Sequence, residues 1–156
     1  SDNVPHLTKH RTKGGTMRHT TILLATVLLL AGAAVGCSKS GDETAKDCAA
    51  ALTERTGGDS ADKPTVSEAQ ERVDALDKTL AGMVRSGYEG PAKDAADALG
   101  EKTKEAGESR PEACEPLSED DYTALLMAKA IDGLGWTGKD GQFDKLKMAD
   151  GALKDQ

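Results

Sequence analysis

The sequence predicts an all-α domain, a small bundle of four to five short helices. Two observations carry this. Val66, Ala69, Val73, Leu76, Leu80 and Met83 recur at alternating spacings of three and four, which places them on one face of a helix. Helix start and stop signals recur along the chain, while no stretch alternates apolar and polar residues as a half-buried strand would.

The first helix is expected within "DETAKDCAAALTERTGG", capped by Asp42 and ended by Gly57. Cys48, Ala51 and Leu52 fall at i, i+3 and i+4, so Cys48 is expected to face the core. The polar stretch 57–64 reads as a loop. Thr65 and Glu68 form a capping-box pair ahead of the Val66–Met83 stripe. Glu68–Arg72 and Asp74–Lys78 read as i, i+4 pairs on its wet face, and Gly87 as its stop. The third helix has Pro91 in its first turn and an Ala-rich face of Ala92, Ala95, Ala96, Leu99 and Ala106. Cys114 follows in "SRPEACEPLS", expected as an extended connector between two prolines.

The fourth helix opens with Ser118 and Asp121 as a second capping box and Leu117 and Tyr122 as a hydrophobic staple. Leu125, Leu126, Ile131 and Leu134 are its expected core residues. Glu119, Asp120 and Asp121 are placed as acids favoured in a first turn by the helix dipole, not as a cation site. The tail is expected to carry a short helix around 142–150 with Phe143 and Leu146 inward; a glycine-turned hairpin is the alternative. Asp140-Gly141 is not a calcium loop of the helix-loop-helix type. With Gly141 at position six, positions one and twelve would be Trp136 and Lys147, where carboxylates are needed.

Ahead of the domain, Arg18 precedes 15 uncharged residues, Thr21 to Val35. As a helix that run spans about 22 Å, against roughly 30 Å of bilayer core, so a signal peptide is favoured over a permanent span. The run ends at Ala34-Val35-Gly36-Cys37, followed by the polar "SKSGDET". This resembles the lipobox of bacterial lipoproteins, although that family prefers Leu at the position of Ala34. The resemblance covers the export segment alone. It implies diacylglycerol on the Cys37 sulfur and cleavage just before Cys37. The composition, rich in Ala, Gly and Asp, resembles that of high-GC actinobacteria. The organisation is then an upstream extension at 1–16, a signal peptide at 17–36, a lipidated tether at 37–45 and a helical domain at 46–156.

The whole chain has 20 basic and 27 acidic residues. Lys9, Arg11, Lys13, Arg18 and Asp2 precede Cys37, which leaves 16 basic and 26 acidic residues and a net charge of −10. Such a chain is repelled by nucleic acid and by anionic lipid heads. The membrane is therefore a partner only through the lipid. His6, His10 and His19 all precede Cys37, so histidine-dependent catalysis and histidine metal ligands are not expected in the domain. No metal or cofactor is expected.

In an oxidising, extracytoplasmic compartment Cys48 and Cys114 read as a disulfide. Closing a loop of about 67 residues would stabilise the fold by roughly 4 kcal/mol. With only Tyr88, Tyr122, Trp136 and Phe143 as aromatics, the core is thin and such a staple is useful. Trp136 and Phe143, flanked by Gly135, Gly138 and Gly141, are the candidate recognition patch. The expected function is a lipid-anchored binding or interaction domain of the cell envelope, with an envelope protein as partner and no enzymatic activity. The alternatives are a structural or stress-related envelope protein without a ligand and, less favoured, a carboxylate-based enzyme.

Overall fold

A computed structural model describes residues 40–154. Cys37 and the segments 1–16 and 17–36 lie outside the described residues. Five helices run through the described part: α1 (Gly41–Thr56), α2 (Val66–Arg85), α3 (Glu89–Ala106), α4 (Glu119–Gly133) and α5 (Lys145–Lys154). A 3-10 turn, Glu112–Cys114, precedes α4. The fold is the expected small all-α bundle. None of these helices is long and apolar enough to cross a membrane.

Helix α1 begins earlier than expected. Ser40, not Asp42, is its N-cap: the Ser40 hydroxyl accepts from the Glu43 amide (3.2 Å) and Glu43 accepts from the Ser40 amide (3.1 Å). This reciprocal pair holds two of the otherwise free N–H groups of the first turn. Ala45 is already fully buried. The stretch 41–45, expected as tether, is therefore part of the folded helix. At the other end Gly57 takes a left-handed φ of 74°, which a side chain would resist.

Thr65 and Glu68 form the expected capping box of α2. Its stripe is inward, with Ala69 and Leu76 buried and Val73, Leu80 and Met83 partly so. On α3, Ala92, Ala95, Leu99 and Ala106 are buried, while Ala96 is exposed. On α4, Ser118 accepts from the Asp121 amide (3.1 Å), but the second half of the expected box does not form. The Asp121 side chain is one methylene shorter than the Glu or Gln that reaches back in a full box.

Helix α4 packs against α1, α2 and α3. It divides the core in two. One cluster gathers Ala45, Cys48, Leu52, Ala106, Cys114, Tyr122 and Leu125. The other gathers Leu76, Ala95, Leu99, Ile131, Trp136 and Met148. The Cys48–Cys114 disulfide lies in the first, with its Cα atoms 4.6 Å apart. Cys114 sits in a 3-10 turn rather than an extended connector, because its amide donates to the Pro111 carbonyl (2.9 Å).

The tail contains both expected elements in miniature. Thr137 and Phe143 form an antiparallel bridge, and the chain reverses through Gly141 at a φ of 76°. Asp144 then accepts from the amides of Leu146 (2.9 Å) and Lys147 (3.3 Å), and α5 starts at Lys145. This start shifts the inward face. Leu146, expected in the core, is 72% exposed, and Met148 is buried instead at 2%.

Candidate functional site

Between the loop 57–64, the C-terminal end of α4 and the 135–142 turn lies a cleft of about 630 Å³. Its base is ionic. Lys129 of α4 is fully buried, Arg72 of α2 is 2% exposed and Asp132 of α4 is 7% exposed. A buried charge is tolerated when it is paired and its hydrogen-bonding capacity is filled, and here both conditions are nearly met.

Arg72 donates from Nη1 and Nη2 to the two carboxylate oxygens of Asp62 at 2.8 and 3.0 Å, and from Nη1 to the Ala128 carbonyl at 3.1 Å. Lys129 Nζ donates to Asp132 Oδ2 (2.8 Å), to the carbonyls of Asp59 (3.0 Å) and Asp62 (2.9 Å), and more weakly to Asp62 Oδ2 (3.4 Å). Asp132 Oδ2 also accepts from the Asp59 amide (2.7 Å), and Oδ1 from the Thr137 hydroxyl (2.8 Å). Two cations and two carboxylates thus tie the 57–64 loop to α2, α4 and the tail turn. Among the described residues, Arg72 Nε is the one atom of this group left buried without a partner.

Burial alone would push the Asp62 carboxyl upward. The hydrogen bonds and charge of Arg72, with the charge of Lys129, outweigh it and hold Asp62 below its ordinary value. Glu68, accepting from Thr65 in the capping box, is also held below its usual range.

Two glycines let the loops close on this group. A Cβ on Gly58 would lie 2.0 Å from Asp132 Oδ2, and one on Gly133 would lie 2.2 Å from the Thr56 carbonyl oxygen. Neither position has room for a side chain.

The wet-face pairing expected for Arg72 and Glu68 is not made. Arg72 turns inward to Asp62, whose planar carboxylate accepts both arms of the guanidinium, a stronger arrangement than an exposed pair. Sequence reasoning also missed Lys129 and Asp132. The signal was present: Lys129 stands four residues after Leu125 and three after Leu126, on the face that those leucines bury.

Trp136 and Phe143 do not form an open recognition patch. Trp136 is 5% exposed and belongs to the second core cluster, and Phe143 is half-buried against that cluster. The exposed large apolar residues among those described are Val84, Tyr88 and Leu146. Cys48 and Cys114 are both in the disulfide. Glu119 pairs with Arg110 (3.0 Å), and the Arg110 guanidinium lies 4.5 Å from the centre of the Tyr122 ring. Among the described residues no group of three or more His, Cys, Asp or Glu side chains is arranged to hold a metal ion.

No protein-family model matches the chain, and neither a curated protein nor a solved structure matches it significantly. The cleft and its ionic base therefore stand on their own geometry.

Proposed function

We propose that the chain is an exported lipoprotein, held at the outer face of the membrane through a lipid on Cys37, and that its helical part is a binding domain of the cell envelope rather than an enzyme. The observation that carries this reading is the sequence Ala34-Val35-Gly36-Cys37 at the end of a 15-residue uncharged run. The Cys48–Cys114 disulfide supports it, since such bonds persist in oxidising compartments. The cleft supports a binding role, because its volume lies within the roughly 300–1,000 Å³ of small-molecule sites.

A structural envelope role without a ligand is the second reading. It is favoured by the cleft's ionic base, in which the four charged groups already satisfy one another.

Growth with a fatty-acid analogue tests the anchor. The wild-type chain is expected to be labelled and to fractionate with membranes, and Cys37→Ala to lose the label. Equal labelling of the two would overturn the proposal.

A further inference from the structure

The link between the proposed lipid and the fold is short. Ser38 and Lys39 alone separate Cys37 from Ser40, the N-cap of α1. Three residues of chain reach about 10 Å even when fully extended. From Ser40 onward the backbone is fixed by the reciprocal bonds with Glu43. The first turn then stands clear of the bundle. Ser40, Gly41, Asp42 and Glu43 are all exposed, and a Cβ on Gly41 would meet nothing within 4 Å. Ala45 is the first buried residue among those described. Helix α1 therefore begins as a stem between the anchor and the body.

The stem is fixed to the body near its root, where Cys48 is bonded to Cys114 just ahead of α4. Helices α1 and α4 then run side by side in the same direction. Their far ends meet as well: a Cβ on Gly133, the last residue of α4, would lie 2.2 Å from the carbonyl oxygen of Thr56, the last residue of α1. The cleft is at that far end, because Gly57 and Gly58 line it together with Gly133. Sixteen helical residues put it about 24 Å beyond the first turn. The exposed Leu146 is also remote from the stem, two residues from Met148 in the second core cluster.

Charge keeps the body off the surface. From Cys37 on, the chain has 16 basic and 26 acidic residues, and the exposed stem residues Asp42 and Glu43 are acids. A bilayer with anionic heads repels such a body. The screening length of about 8 Å at physiological salt is close to the reach of the link, so the repulsion acts across it and draws it out.

We infer that the anchored domain stands upright on the bilayer, with the first turn of α1 facing the lipid heads and the cleft facing the aqueous side. The surface turned to the membrane is Ser40–Glu43, and a solute or partner reaches the cleft without crossing the headgroup layer. This orientation rests on the lipid at Cys37 and deepens that reading.

The test uses the lipidated chain in nanodiscs of phosphatidylcholine and phosphatidylglycerol that carry a gadolinium chelate on a fraction of the headgroups. Broadening of each backbone amide is read by NMR, and flotation reports whether the chain is bound. The strongest broadening is expected at Gly41, Asp42 and Glu43. At Gly57 and Gly58 it is expected to be at least about tenfold weaker, because those amides lie about 24 Å further along α1 and the effect falls steeply with distance. A 20-residue Gly-Ser insertion between Ser38 and Lys39 spans about 25 Å. It is expected to keep flotation and to flatten this gradient. Broadening as strong at Gly58, Gly141 or Leu146 as at the stem, with flotation retained, would show the domain lying on its side and overturn the orientation alone. So would a gradient that the insertion leaves unchanged. Loss of flotation together with all broadening would overturn the lipid anchor, and the orientation with it.

Discussion

Two regions of this small core are closed by opposite chemistry. Around Cys48 and Cys114 the packing is mostly alanine and leucine, and a covalent bond ties α1 to the turn before α4. Beneath the cleft, Asp62, Arg72, Lys129 and Asp132 bring a polar loop onto α2 and α4. From this chemistry the first region is expected to respond to reductant more than to pH, and the second to pH more than to reductant. A chain with few large apolar side chains is held by two devices that fail under different conditions.

The largest effect is expected from Lys129→Ala, which leaves Asp132 buried without its cation. Breaking one partner of a buried pair costs about 3–5 kcal/mol, read as a lower urea midpoint. A loss below about 1 kcal/mol would mean that the network behaves like a surface pair.

Reducing Cys48–Cys114 follows, at about 2–5 kcal/mol. Intact mass before and after alkylation checks the bond, and melting with and without reductant checks its contribution. Full alkylation of both cysteines in the native oxidised protein would remove the covalent half of the comparison.

Acid should separate the regions. The carboxyl of Asp62 is held below its ordinary value of 3.8 in the fold. Its contribution is therefore complete above that value and is lost as pH falls through the lowered one. Urea midpoints are expected to drop on acidification below about pH 4, and Asp62→Asn to flatten that part of the drop. The same response is expected with the disulfide reduced; a pH response that vanished on reduction would show that the two devices are not independent.

The smallest effect is local. Thr65→Ala removes the acceptor for the Glu68 amide at the start of α2, at a cost of about 1 kcal/mol. It should leave both the acid response and the reduction response in place.

Much of the fold was legible because its causes are local. The Thr65–Glu68 box, the Val66–Met83 stripe, Gly57 and Gly87 act over a few residues, and the structure uses each of them. The disulfide was legible through the export that the sequence leads one to expect and the even number of cysteines left in the domain. The ionic base was not, because its partners are far apart in the chain: Lys129 and Asp62 are 67 residues apart, and Arg72 and Ala128 are 56 apart. A charged residue on a helix gives no sign of its partner until the loop that carries the partner is placed. The same holds for Trp136, which its flanking glycines marked as a candidate recognition residue. Its amide donates to the Ile131 carbonyl (3.1 Å), and the indole lies with Leu76, Leu99 and Met148 in the core.

The disulfide makes a ring of the chain from Cys48 to Cys114, with α2 and α3 wholly inside it. A protease that cuts once within that ring opens it but frees neither piece. The part from Cys114 onward, α4 and α5 included, stays joined to α1 through sulfur. In a chain anchored at Cys37 as proposed, a nick in the 57–64 loop would leave both halves at the cell surface, and shedding would need a second event, reduction or a cut outside the ring.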